Sequence, residues 1–295
     1  MFKNLIIYRF QNAPEEIETM ESGLVRFTPC GATQEKSMGW IEPREHENGP
    51  LVESVDGQRI LRFQIETKAV PGAVVRKKAQ EAADHIEAST GRKPGKKETR
   101  ALREDALLAL LPQAFPKQKA IWVWFDMGAG LLLIDTASQS VADDVVTALV
   151  TSIGGLQVAM LNATITPSQA MTQWLLADPD DWPEGLAVER QVVLKSHSED
   201  KAVVKFDRHH LINDEIRKHI AEGKLPEQLA LSWEGRVSFV MTAGMQLRKL
   251  SFLEGALEDR KERDDAFDAD VALATGELRQ MIPALIAAMG GESKP

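Results

Sequence analysis

Six cations, Arg92, Lys93, Lys96, Lys97, Arg100 and Arg103, fall within twelve residues of an acidic chain. Guanidinium and ammonium groups gathered this closely can hold phosphate oxygens, the chemistry of polyanion binding. From Arg76 to Lys119 there are eleven Lys/Arg against six Asp/Glu, a local charge of +5. The other 251 residues carry 24 against 38, or −14, and the whole chain is −9. Such a chain repels polyanions as a whole and can bind phosphate in one place. The same run also reads as a solvated hairpin with its charges in water, and charge alone does not separate the two.

Other groupings suggest chemistry less well. Asp264, Asp265, Asp268 and Asp270 resemble a Mg²⁺ nuclease set, with 264 and 268 on one helix face. The mixed-charge run from Glu258 to Arg263 just before them is instead the signature of a solvated helix. His209 and His210 are adjacent, so their side chains diverge, and with His219 they do not form a convergent metal site. Cys30 is the only cysteine, which excludes an intrachain disulfide and a Cys-based zinc site, and it reads as a small buried apolar residue. No P-loop, dinucleotide fingerprint, HExxH or GxSxG motif occurs. The sequence therefore offers no catalytic residue, no metal site and no cofactor site. Phe115 lies between Pro112 and Pro116, beside Lys117 and Lys119. The prolines stiffen the segment and fix the ring's direction. It is either a core anchor or a plug inserted into a partner chain.

These residues need positioning elements. The pattern predicts a strand over 4–10, a helix over 14–23, a short strand over 25–29, a long loop over 33–56 and a one-sided strand over 59–68. Helices follow over 73–89 and 97–111, broken by Thr90-Gly91-Arg92-Lys93-Pro94-Gly95. The cations then sit at a hairpin tip and on the first turns of the second helix. Cations there oppose the helix dipole, which points to a purpose other than helix stability. Further strands are expected over 120–125, 130–136, 157–165, 186–196, 201–206, 228–233, 236–242 and 247–252. Helices are expected over 140–153, 168–176, 211–222 and 264–290. Strands and helices intersperse without regular βαβ units, which gives an α+β fold with mixed or antiparallel sheets. The expected segments are 1–75, the basic hairpin 76–119, 120–180, 181–225 and 226–295. Single-cysteine usage and short apolar runs fit a soluble cytoplasmic protein without membrane contact.

The chain resembles the RdgC family of recombination-associated proteins of proteobacteria over nearly all its length. The likeness rests on the order and spacing of several segments. They are Phe2-Lys3-Asn4-Leu5 with Tyr8-Arg9, Phe27-Thr28-Pro29-Cys30-Gly31, Met38-Gly39-Trp40 and Leu110-Leu111-Pro112-Gln113-Ala114-Phe115. Gly130-Leu131 leading to Asp135-Thr136-Ala137-Ser138, Leu229-Ala230-Leu231-Ser232-Trp233, Phe267-Asp268-Ala269-Asp270 and Thr275-Gly276-Glu277-Leu278 complete it. The resemblance implies curved, multi-subdomain subunits that close into a ring-shaped homodimer around DNA. It implies binding of duplex, and of single strands, with little sequence preference. It further implies nucleoid association, restraint of the RecA recombinase and no catalytic activity. In the family one subunit contact acts as a gate, where a Phe enters a pocket of the other subunit. Phe115 matches that Phe, and Arg208 and His209 align with a basic-polar pair of the gate. Relatives can carry Lys-Gln there, and Arg at the position of Gln113.

Charge, not a family motif, then assigns Lys77, Arg92, Lys93, Lys96, Lys97, Arg100 and Arg103 to DNA contact. Two other functions compete: a Mg²⁺-dependent nuclease using the late aspartates, and a protein-interaction module whose basic hairpin binds an acidic partner without DNA.

Overall fold

The computed structural model describes residues 1–196, 198, 201–252 and 263–293, with side chains from 266 onward in the last segment. The chain opens with β1 (Asn4–Gln11), α1 (Ile17–Ser22), β2 (Lys36–Ile41), β3 (Val52–Val55) and β4 (Gln58–Lys68). Helices α2 (Gly72–Thr90) and α3 (Lys96–Leu110) follow, then β5 (Pro116–Asp126), β6 (Leu131–Ile134), α4 (Gln139–Ser152), β7 (Gln157–Met160) and α5 (Pro167–Leu176). The remainder is β8 (Leu186–Ser196), β9 (Val203–Asp207), α6 (Asp214–Ala221), β10 (Lys224–Trp233), β11 (Val237–Thr242), β12 (Leu247–Phe252) and α7 (Arg263–Ala288). Strand pairing runs β2-β4-β5-β6-β1-β12-β11-β10-β8-β9, with β3 added to β4 and β7 to β1. The registered pairs are antiparallel. This is the expected α+β class. No described helix is long and apolar enough to cross a membrane.

Two compact units divide the chain. One comprises Met1–Gly23, Glu42–Leu61 and Ile121–Pro295; the other comprises Leu24–Ile41 and Arg62–Ala120. The first holds a large apolar core of strand and helix residues, including Leu5, Ile7, Leu133, Val192, Leu229 and Met241, with Met171 and Trp174 from α5 and Val271, Leu278 and Leu285 from α7. Arg44 ties α7 into this unit. Its guanidinium pairs with Glu53 at 2.9 Å and Asp268 at 2.5 Å, and lies 4.6 Å from the Phe267 ring centre. The second unit is a small sheet carrying the helical hairpin α2–α3. Its core centres on Trp40 and Phe63, whose rings meet edge-on at 4.8 Å.

Several expected elements are corrected. The long loop over 33–56 contains two strands, β2 and β3. β2 was hidden by Gly39, where a Cβ would lie 2.5 Å from the Phe27 Cα, so only glycine lets the two backbones meet. β3 joins β4 through Asp56-Gly57, a two-residue hairpin loop with both φ angles positive, at 49° and 76°. The short strand over 25–29 is a single bridge, Arg26 to Trp40. Helix α1 begins only at Ile17, after extended backbone at Glu16. β4 is buried on both faces rather than one: Ile60, Gln64 and Glu66 are as covered as Leu61, Phe63 and Ile65. β10 starts at Lys224 and includes Pro226. β11 pairs only with residues 228–233, so no neighbour on that side needs the missing Pro226 N–H.

Candidate nucleic-acid interface

The two units differ sharply in charge. The smaller unit carries fifteen Lys/Arg against eight Asp/Glu, or +7, and the larger carries 20 against 36, or −16. The basic stretch seen in sequence is therefore the largest part of a unit with net positive charge. Arg62 and Lys68 precede it in the same segment, and Arg26 and Lys36 join it from the separate segment Leu24–Ile41.

The hairpin that presents most of these cations is thinly packed. Ala79 is the only buried residue of α2 and Ala106 the only one of α3. Ala101 and Leu108, apolar residues of α3, are exposed. Val75, Ala79, Ala82, Ala83 and Ile86 of α2 and Leu102, Ala106, Leu107 and Leu110 of α3 are the covered apolar positions, while the long charged side chains project outward. On α3, Lys96, Arg100 and Arg103 follow i, i+4, i+7 spacing and form one stripe. It rises ~10 Å, a length along which duplex DNA presents about six phosphates. Lys97 lies to one side of that stripe.

The seven sequence-assigned cations divide into two groups. Lys77, Lys96, Lys97 and Arg103 are exposed and form no ion pair among the described residues. Arg92, Lys93 and Arg100 are also exposed but have acidic neighbours. Arg92 donates to both oxygens of Glu98, each at 2.8 Å. Lys93 stands 3.9 Å from Glu87, and Arg100 pairs with Glu104 at 2.9 Å. The Glu98 carboxylate also accepts the Gly95 backbone N–H at 3.0 Å, capping α3. These bonds, Arg92 first and Gly95 second, hold the Glu98 carboxyl down to about 2, and the same pairing raises Arg92 further. Lys77 lies thirteen residues before the end of α2, ~20 Å of helix from the tip cluster. The fold thus gathers six of the seven near the tip and sets Lys77 apart at the base.

Phe115 is 93% exposed, the highest value among large hydrophobic residues that are described. The core-anchor reading is overturned. A 3₁₀ turn over Leu111–Gln113 precedes it, anchored by buried Leu111, and Pro116 starts β5 directly after it. The ring is held out from this unit by rigid backbone on both sides. Arg208 and His209 belong to the other unit. Arg208 has a positive φ of 54°, which turns the chain sharply after β9. The His209 ring packs 5.4 Å from that of Phe206, and its Nδ1 donates to the His210 carbonyl at 2.8 Å.

The described residues hold no group of three His, Cys, Asp or Glu able to bind a metal. His219 contacts Lys224 at 3.1 Å and Glu222 at 3.5 Å. Asp268 is engaged by Arg44. The side chains of Arg263, Asp264 and Asp265, and the charged run from Glu258 to Glu262, lie outside the described residues. Cys30 is partly exposed rather than buried. Desolvation and the neighbouring Glu66 push its thiol up, away from the reactive thiolate.

A family model described as "Putative exonuclease, RdgC" matches residues 1–292. The chain belongs to the RdgC family. A recombination-associated protein RdgC of Herminiimonas arsenicoxydans is 38% identical over 99% of this chain and 98% of its own length. Relatives of the same name from Janthinobacterium sp. (strain Marseille) and Dechloromonas aromatica are 37% and 36% identical, over 99% of this chain and 98% of theirs. Membership of the RdgC family ties the chain to recombination. The names of these RdgC relatives define no enzymatic reaction.

Proposed function

We propose that this protein binds DNA without sequence preference, as a closed homodimeric ring on the cytoplasmic nucleoid, and restrains RecA-dependent recombination. The observation that carries the reading is the partition of charge: +7 in a unit whose hairpin cations are exposed against −16 in the rest of the chain. Phosphate contacts give affinity without reading bases. A ring retains DNA topologically, so each such contact can be weak. The acidic unit repels DNA and leaves the basic hairpin as the favourable surface. Phe115, exposed and rigidly held, supports its role as the gate plug, with Arg208 and His209 as polar gate residues.

A salt titration tests the electrostatic part. If about six to ten phosphates are neutralised, affinity for duplex falls by roughly 10³ to 10⁵ between about 50 and 200 mM salt. A flat titration, or no gel shift with duplex or single strands, would leave the protein-interaction reading in its place. Comparison of linear with closed circular DNA tests the ring, since only a free end lets a closed ring slide off.

The family description favours a nuclease as second reading. Incubation with labelled DNA and Mg²⁺ decides it: cleavage abolished by Asp268→Ala would support an enzyme.

A further inference from the structure

The small sheet of the basic unit has two unlike faces. β5 lies beside β4, and the Gln118 side-chain amide donates to the Glu66 carboxylate at 2.7 Å, so these two side chains share a face. The same carboxylate accepts the Cys30 backbone N–H at 2.7 Å. The Lys68 ammonium donates to the Cys30 and Gly31 carbonyls at 3.2 and 2.9 Å. The acid, the amide and the lysine of this face are therefore engaged with one another or with the backbone of residues 30–31.

Side chains alternate along a strand, so Lys117 and Lys119 of β5 point to the opposite face, with Ile65 and Thr67 of β4. The register of β2 adds Lys36 opposite Thr67 and Met38 opposite Ile65. At one end this face is core, since Trp40 and Phe63 are buried there. At the other end it opens: Lys36, Met38, Lys117 and Lys119 are exposed, Met38 at 40%. None of these face residues is acidic. Lys117 and Lys119 form no ion pair among the described residues.

We infer that this open face is a site for single-stranded DNA, with phosphates on Lys117, Lys119 and Lys36 and a base lying against Met38. Lys117 and Lys119 stand ~6.8 Å apart along β5, and β2 lies ~10 Å across the sheet from β5. A patch of that size covers about three nucleotides of one strand. A duplex keeps its bases stacked inside and offers such a surface phosphates alone. A single strand offers phosphates and base faces together, and the face supplies cations around an exposed apolar side chain to meet both. The site rests on the DNA-binding reading above, and it gives single strands a surface separate from the cationic hairpin. The rival occupant is an acidic protein segment, which the same lysines would attract.

Binding titrations of the full chain with a thymidine oligonucleotide and with a duplex, over a range of salt concentrations, test the site. For Lys117→Gln/Lys119→Gln the slope of log K against log salt is expected to become shallower by about 1.4 on the single strand, at about 0.7 per phosphate. On duplex the slope is expected to stay as it is. Met38→Ala is expected to weaken single-strand binding several-fold at every salt concentration with the slope unchanged, a result that loss of charge does not give. Lys117→Arg/Lys119→Arg is expected to keep the native slope, and circular dichroism confirms folding of each variant. An unchanged single-strand slope in the glutamine variant, with native binding of duplex, overturns this site and leaves the DNA-binding reading standing. Equal losses on both DNAs overturn the single-strand assignment, since the lysines would then belong to a surface common to both. Absence of binding to either DNA by the unaltered protein overturns both readings. A poly-glutamate peptide held by that protein and lost by the glutamine variant would then give the face to an acidic protein segment.

Discussion

Arg92 and Glu98 close the hairpin tip as a two-bond pair, both nitrogens donating at 2.8 Å across the Thr90–Gly95 turn. The pair has two effects. It fixes the loop against the first turn of α3, and it places a carboxylate within the run of cations from Arg92 to Arg103.

The first effect depends on pH. The Glu98 carboxyl is lowered from 4.5 to about 2 in the fold. Its folded value lies below its unfolded one, so its support is complete above about 4.5 and is lost as pH falls through about 2. Amide exchange at residues 92–99 is expected to be steady, relative to intrinsic rates, from neutral pH to about 5 and to quicken only in stronger acid. Glu98→Gln is expected to show the loosened tip already at neutral pH.

The second effect concerns DNA. Glu98→Gln removes one negative charge from the cluster and frees Arg92 for phosphate. Binding of duplex is expected to tighten at low salt, and the slope of log K against log salt to steepen by about 0.9. An unchanged slope would mean that Arg92 stays outside the contact.

At Phe115 exposure predicts a clean separation of stability from function. Its ring buries almost nothing within its own chain, so Phe115→Ala should leave the melting temperature within about a degree. As an interface anchor it is expected to contribute about 2 kcal/mol or more to gate closure. The expected result is faster loss from closed circular DNA with linear DNA unaffected. Equal residence on circles for both proteins would count against the plug.

The cationic cluster was legible because charge shows in any short window. The wider basic unit was not, because Arg26 and Lys36 reach it from another part of the chain. The Arg92–Glu98 pair had a signal, an acid three residues after Gly95 at a helix start, but only folding brings Arg92 to it. Strands with strong alternation, such as β4 and β11, were found almost to the residue. β2 and β3 were lost in Gly- and Pro-rich surroundings, although Asp56-Gly57 between Val55 and Gln58 was a hairpin signal of the strongest kind. From its surroundings alone Phe115 fitted a core anchor, the commoner fate of a Phe, as well as a plug, since a sequence does not state exposure.

Arg44 predicts a different behaviour from the hairpin cations, because it is internal. Its side chain is 19% exposed and Glu53 beside it 12%. Arg44→Ala would leave the Glu53 carboxylate nearly buried without that partner, and would release Asp268 on α7. A loss of about 2 kcal/mol is expected, a drop of several degrees in melting temperature, with DNA affinity per folded molecule unchanged. A weaker salt dependence in this variant would instead place Arg44 on the DNA surface.

Gly39 tests whether β2 holds the basic unit together. A Cβ there would meet the Phe27 Cα at 2.5 Å and its nitrogen at 2.6 Å, both backbone atoms with little room to move. The Phe27 N–H donates to the Trp40 carbonyl, and the Trp40 N–H donates to Val25, each at 2.9 Å. Gly39→Ala must stretch these bonds or shift Trp40 off Phe63. Overpacking of this kind costs about 1–3 kcal/mol. The loss should fall on the small unit, so Trp40 fluorescence and proteolysis near residues 24–41 should change before the melting of the large core does. The exposed cations would keep their charge but lose their fixed platform, and duplex affinity should fall with no change in the number of Lys and Arg. An alanine variant with native affinity and native protease resistance would show that the 25–29 segment can move aside, and that the hairpin does not depend on it.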